Sequence, residues 1–298
     1  MAEEKRKTMK IPFMITPSES QALMSELNVS SLPELLPLLV PSAQLLSRTP
    51  ISSFPVGAVG LGSSGRIYVG VNLEFPGLPL HHSVHAEQFL VTNALLHREP
   101  SLDLIAVSAA PCGHCRQFLQ ELRNSSQIRI LVTSDGPGSD FRPLSDFLPR
   151  PFGPPDLLKE DVPLLLEAKV EEEEEEEEKE KRVNGFGSDM EGRLREAAVR
   201  VAGRAHAPYS GCRSGFAVAD AEGRVYAGAY MESAAYNPSV GPAQAAAIAY
   251  VAGGGGGWEG IVGGVLVEAE GAAVEQEGTV TIFMEKVAPR AQFWVHRL

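Results

Sequence analysis

Four residues in two short clusters have the types and spacing to act on one metal ion. His85 and Glu87 stand two positions apart, and Pro111-Cys112-Gly113-His114-Cys115 begins 24 residues after Glu87. Zinc takes imidazole and thiolate ligands in tetrahedral geometry, and two cysteines three apart at a helix start can point both sulfurs at one ion. A helix N-terminus also favours the thiolate, because its positive end stabilises negative charge. His85 supplies a third ligand. Three protein ligands leave the fourth position for water, which separates a catalytic zinc from a closed structural one. Glu87 shares a first helical turn with His85, so it falls beside that water without being a ligand. Zinc brings the pKa of its water to about 7, and a neighbouring carboxylate can accept the proton and later return it. The quartet therefore implies metal-assisted hydrolysis, with Glu87 as general base and then general acid. Two rival readings exist. A Cys-x-x-Cys pair alone also serves structural and redox sites, and His114 could close a four-ligand site if its ring folded back. His81, His82, His97, His206, His296 and Cys212 lack the motif spacing.

The surrounding pattern places this quartet on strands and helices. Val56 to Leu61 and Ile67 to Val71 are strand-like runs joined by Gly62-Ser63-Ser64-Gly65, a hairpin signal. A helix is expected from about Ser83 to His97, a strand over Leu104 to Ala109, a helix from Cys112 to about Arg123, and a strand over Ile128 to Thr133. That order predicts an α/β domain with helices packed on a mixed sheet. Upstream, Thr16-Pro17-Ser18-Glu19 is a capping box with proline at the first helical position. Pro33, Pro37 and Pro41 predict that Leu32 to Leu46 breaks into short helices and turns.

Composition bounds the class. The chain has 298 residues, enough for about two domains. Its 44% hydrophobic and 21% charged residues suit a globular protein with a proper core. No apolar run approaches the roughly 20 residues of a membrane span. The N-terminus mixes acids and bases with no apolar stretch behind it, which argues against a secretory or organellar leader. Three cysteines make no disulfide framework, so a reducing, cytoplasmic location is expected. The formal charge of −12 weighs against nucleic acid as partner, although residues 167–182 carry ten acids against four bases and so half of that charge. The run Glu171–Glu178 reads as a solvated, disordered linker.

After the linker the chain repeats itself. Gly65 to Glu74 aligns with Gly223 to Glu232, five of the ten residues being identical. Two residues of slippage later, Ser83-Val84-His85-Ala86-Glu87-Gln88 meets Ser239-Val240-Gly241-Pro242-Ala243-Gln244. The second copy has Gly and Ala where the first has His and Glu, so one zinc per chain is expected. The predicted organisation is an N-terminal helical segment over 1–46, a catalytic domain over 47–150, a connecting segment over 151–187 and a degenerate copy over 188–298.

His-x-Glu followed by Pro-Cys-x-x-Cys is the signature of zinc nucleobase deaminases, in which hydroxide attacks C4 of cytosine while the glutamate moves the proton. With Phe54-Pro55-Val56-Gly57-Ala58, Asn72-Leu73-Glu74 and Phe147 to Pro154, the chain resembles the homodimeric cytidine deaminases of bacteria and plants, most of all a plant one. The resemblance runs from about Leu45 to the C-terminus and includes the degenerate second copy. It implies hydrolysis of cytidine and deoxycytidine in pyrimidine salvage and a homodimer in which the degenerate half lends backbone groups to the partner's site. It also implies that Asn72 and Glu74 bind the ribose hydroxyls, that Phe54 and Phe152 pack on the base, and that Ala86 contacts substrate. A carboxylate there accepts bonds from sugar hydroxyls and repels a nearby phosphate, which favours a nucleoside over a nucleotide. Asn72 and Glu74 could instead form a strand-end turn, because Glu232 repeats Glu74 while Tyr230 replaces Asn72. Phe54 and Phe152 could equally be core residues. A polynucleotide-editing deaminase would need a basic groove and stacking aromatics, which the sequence does not offer. A non-enzymatic zinc scaffold would have no use for an unligated Glu87.

Overall fold

The computed structural model describes residues 8–136, 138–167 and 190–298. The glutamate run expected to be a linker lies outside the described residues. Backbone contacts divide the chain into two units: one holds the residues up to Leu158 together with Ser233–Ser239, the other Lys159–Glu232 with Val240–Leu298. Among the described residues no helix is long and apolar enough to cross a membrane.

The first unit opens with β1 (Met14–Ile15) and α1 (Pro17–Leu27). Thr16 caps α1 as the sequence predicts, accepting from Glu19 N at 3.3 Å while Glu19 reaches back to Thr16 N at 2.8 Å. The next element departs from expectation. Leu32–Gln44 is one 13-residue helix, α2, running through Pro37 and Pro41. Each internal proline costs about 3 kcal/mol. Leu35, Leu36, Leu39, Val40 and Ala43 are all buried along the opposite stripe, and each larger apolar chain contributes roughly 1.5–3 kcal/mol, which offsets that cost.

Behind α2 lies a six-stranded sheet of order β1-β3-β2-β4-β5-β6, with β2 at Gly57–Gly62, β3 at Ile67–Val71, β4 at Leu102–Val107, β5 at Arg129–Val132 and β6 at Arg142–Pro143. The β4–β5 pair is parallel, and the other neighbours run antiparallel. Between β3 and β4 comes α3 (Ala86–Leu96), with His85 as its N-cap. It starts later than the sequence suggests because Val84 is still extended, paired with Leu73 through two backbone bonds of 2.9 Å. After β4 comes α4 (Gly113–Phe118), with Cys112 as N-cap, ending in a 3-10 turn over Leu119–Glu121. The short helices α5 (Leu144–Phe147) and α6 (Pro154–Leu157) complete this part.

The second unit repeats the plan with fewer strands. Its helix α7 (Met190–Gly203) buries Leu194, Ala197 and Ala198 against Ala217, Ala219, Val265 and Val267 of the sheet. That sheet has the order β10-β9-β7-β8, from β7 (Ser214–Asp220), β8 (Val225–Ala229), β9 (Ile261–Glu268) and β10 (Gln292–Arg297). The strands β8, β7, β9 and β10 follow the sequence and direction of β3, β2, β4 and β5, including the parallel last pair. A register shift recurs at the corresponding place, Leu61/Gly62 in one copy and Ala219/Asp220 in the other. The helices α8 (Pro242–Ala252) and α9 (Glu277–Val287) stand where α3 and α4 do. The fold is thus the α/β pair of mixed sheets with flanking helices that the repeat predicts.

Candidate active site

The quartet is assembled by the N-terminal ends of α3 and α4, whose N-caps are His85 and Cys112. Gly70 in β3 is what lets α3 approach: a Cβ there would lie 2.1 Å from Ala86 O and 2.6 Å from Leu90 N, which are backbone atoms that cannot yield. Gly228 repeats this in the second copy, where a Cβ would meet Ala245 C at 2.2 Å. The first turn of α3 is therefore pressed onto the sheet, and His85 at its cap faces the cap of α4.

His85 Nδ1 lies 3.3 Å from Cys112 Sγ and 3.4 Å from Cys115 Sγ, and the two sulfurs are 3.7 Å apart. Zinc bonds of about 2.3 Å to sulfur and about 2.0–2.1 Å to nitrogen give tetrahedral edges of about 3.8 Å and about 3.5 Å. The three ligand atoms fit that triangle. Among the described residues these three form the group that could hold a metal ion, and exposed His114 is not part of it. Cys115 is buried, His85 partly so, and Cys112 is exposed, so the triangle opens to solvent on one side. Glu87 is buried, with Oε2 3.2 Å from Cys115 Sγ.

The electrostatics suit a metal. The Cys115 thiol beside it, helped by His85, pulls the Cys112 thiol down to about 3, while Cys115 is pushed well above the thiol range by Cys112, burial and Glu87. The pair thus holds one proton between two sulfurs, and a cation bound there would displace it. The Cys112 sulfur holds His85 above the usual imidazole range against the opposing effect of burial. Burial raises Glu87 above the usual carboxylate range, which is the direction a proton carrier needs.

Comparison with known proteins identifies the arrangement. Residues 34–131 match the zinc-binding region of cytidine and deoxycytidylate deaminases, and residues 144–281 match a second description of that region. The chain is 52% identical over 293 residues to cytidine deaminase 1 of Arabidopsis thaliana, covering 95% of this chain and 96% of that one. The chain belongs to the cytidine deaminase family. The cytidine deaminase of Proteus mirabilis is 42% identical over 80% of this chain and 74% of its own length. The solved cytidine deaminase of Mycobacterium tuberculosis is 29% identical and is covered over 99% of its length by 42% of this chain, at a TM-score of 0.37. Zinc is the cofactor of the family region matched, and His85, Cys112 and Cys115 are the group here that fits it.

Around the deaminase quartet, Asn72 and Glu74 follow β3. Glu74 Oε2 accepts from Ile51 N at 2.7 Å and Ser52 N at 2.9 Å, and the Ser52 hydroxyl donates to Oε1. Burial pushes the Glu74 carboxyl up, but these bonds outweigh it and leave it below the usual range. Asn72 Oδ1 accepts from Val56 N at 2.8 Å and its Nδ2 donates to Phe54 O at 2.9 Å. Phe54 is 60% and Phe152 48% exposed, so neither is a core residue, whereas Ala86 is fully enclosed at the start of α3. Sequence reasoning missed Ser52 and also Arg116, which donates to Pro111 O at 2.6 Å and Phe147 O at 3.0 Å and so ties the cysteine loop to the segment leading to Phe152. Ser52 left no motif to read. Gln88 was missed as well, although its place as the third helical residue after His85, where a capping side chain belongs, is a signal that could have found it.

Proposed function

We propose that this deaminase converts cytidine and 2′-deoxycytidine to uridine and 2′-deoxyuridine with release of ammonia, in pyrimidine salvage. The observation that carries this is buried Glu87 beside a His85–Cys112–Cys115 triangle of zinc dimensions. When bound, the metal supplies the Lewis acidity that makes water a nucleophile near neutral pH. Glu87 accepts the water's proton and passes it to the pyrimidine ring nitrogen as the oxygen adds to C4. It then takes the proton of the new C4 hydroxyl and gives it to the amine, so the C4–N bond breaks, ammonia leaves and a carbonyl remains.

Asn72 and Glu74 orient the sugar. A carboxylate has about four acceptor positions, and three on Glu74 are taken internally, leaving one on Oε1. Asn72 keeps one amide N–H free of the bond to Phe54 O. A free donor on one residue and a free acceptor on the other match a sugar hydroxyl, and the carboxylate disfavours a phosphate. Phe54 and Phe152 offer exposed rings to the base, and Ala86 contributes backbone next to it. Catalysis belongs to the domain over 47–150. The copy over 188–298 lacks the metal ligands, and its part is to complete a homodimer. Three free cysteines fit a reducing compartment, here the cytoplasm.

The test is loss of cytidine absorbance with purified, zinc-loaded protein. Turnover of cytidine and deoxycytidine, but not of a cytosine-containing oligonucleotide, is expected. Deamination of the oligonucleotide with free cytidine left unchanged would sink the nucleoside assignment.

A further inference from the structure

The segment Ser233–Ser239 lies in sequence inside the second copy, yet it groups with the first unit. It is a closed loop. Met231 and Val240 pair at its base through backbone bonds of 3.0 and 2.8 Å, Ser233 N donates to Ser239 Oγ at 3.0 Å, and Tyr236 N to Ser233 O at 2.8 Å. Tyr236 has φ 62°, a conformation that costs a non-glycine residue energy and persists only where the surroundings impose it.

Two buried side chains grip this loop. Gln88 Nε2 donates to Pro238 O at 3.0 Å, and Glu121 Oε1 accepts from Ala234 N at 2.7 Å. Gln88 is 5% and Glu121 0% exposed. Both follow metal ligands along the chain. Gln88 follows Glu87, and its Oε1 accepts from His85 N at 3.1 Å, so one amide joins a ligand's backbone to the loop. Its orientation is fixed, since the oxygen must face the His85 N–H and the nitrogen the Pro238 carbonyl. Glu121 ends the turn that continues α4 from Cys115. The cap itself serves the fold, because Gln244 makes it to Gly241 N at 2.8 Å in the copy without ligands. The link from ligand to loop runs through the bonds to Pro238 and Ala234.

We propose that Gln88 and Glu121 are positioning residues, through which the loop Ser233–Ser239 straps the His85 turn and the Cys115 helix into their ligand spacing. This rests on the zinc centre and not on the choice of substrate. The test mixes the zinc-loaded full chain with a chromogenic chelator and follows zinc release. Partners of metal ligands typically contribute 10–100-fold to metal affinity, so Gln88→Glu, which sets an oxygen against Pro238 O, and Glu121→Ala are expected to release zinc about tenfold faster. Glu121→Gln keeps an acceptor for Ala234 N–H and stays near the wild-type rate. Wild-type release from both Gln88→Glu and Glu121→Ala overturns the proposal. A second measurement needs no variant. Coupling is reciprocal, so a strap that holds the metal is held by it. Hydrogen exchange at the Ala234 amide of the unaltered chain then quickens when zinc is stripped, and exchange indifferent to zinc overturns the proposal as well. Neither readout uses a substrate, so a wrong nucleoside assignment leaves both unchanged.

Discussion

Glu87 Oε2 sits 3.2 Å from Cys115 Sγ, so the carboxylate assigned to proton transfer touches a metal ligand without being one. Glu87→Gln keeps the shape and removes the proton carrier. Zinc content by atomic absorption is expected to stay at one per chain while kcat falls by roughly 10²–10⁴-fold. Loss of the metal in this variant would instead make Glu87 a structural residue.

Gly70 makes a different demand. Its Cβ would lie 2.1 Å from Ala86 O, so Gly70→Ala must push α3 away from the sheet. Overpacking of this kind costs about 1–3 kcal/mol or more. Calorimetry is expected to show a lower Tm, and titration with zinc a weaker site, because His85 moves with the helix. A variant with native Tm and native zinc affinity contradicts the close contact.

Asn72 and Glu74 can be separated by the second copy. Glu232 accepts from Tyr209 N at 2.8 Å and Ser210 N at 3.2 Å, and the Ser210 hydroxyl also donates to it, as Ser52 does to Glu74. That carboxylate contact therefore belongs to the fold in both halves. Asn72→Ala is expected to raise KM for cytidine by about tenfold or more, with a smaller change for a substrate lacking the paired hydroxyl. Ser52→Ala acts on stability. Glu74 is depressed when folded, so its contribution is present above the unfolded carboxylate pKa and lost as pH falls through the folded one. Without Ser52 that loss begins at higher pH, and the acid-unfolding midpoint is expected to move up.

The thiols give a chemical check. In the metal-free chain Cys112 is exposed and held to about 3, while Cys115 is raised and buried, and burial also raises Cys212. Brief alkylation at mildly acid pH after chelation is expected to label Cys112 first, because only the thiolate reacts. With zinc present all three label slowly. Peptide mapping that finds Cys212 labelled first would contradict its burial.

Much of the site was legible because metal chemistry restricts residue types sharply. His85, Glu87, Cys112 and Cys115 could be grouped from their types, their spacing and a known signature, and the repeat announced two copies of one domain. Other features depend on partners that lie far away in sequence. The proline-bearing α2 forms because five apolar side chains bury against the sheet, a gain that a local proline rule does not contain. Ser52 meets Glu74 across 22 residues, Glu121 meets Ala234 across 113 and Gln88 meets Pro238 across 150. No periodicity announces such pairs.

The two sheets share one strand order and one register shift, yet only the first has metal ligands at its helix caps. The plan is therefore stable with Gly241 and Ala243 in those places, and nothing in its layers asks for an ion. Small zinc domains collapse when stripped of metal. Here the metal is a fitting and not a keystone. Chelation is expected to stop turnover while the far-ultraviolet circular dichroism stays native, and added zinc to restore activity without a refolding lag.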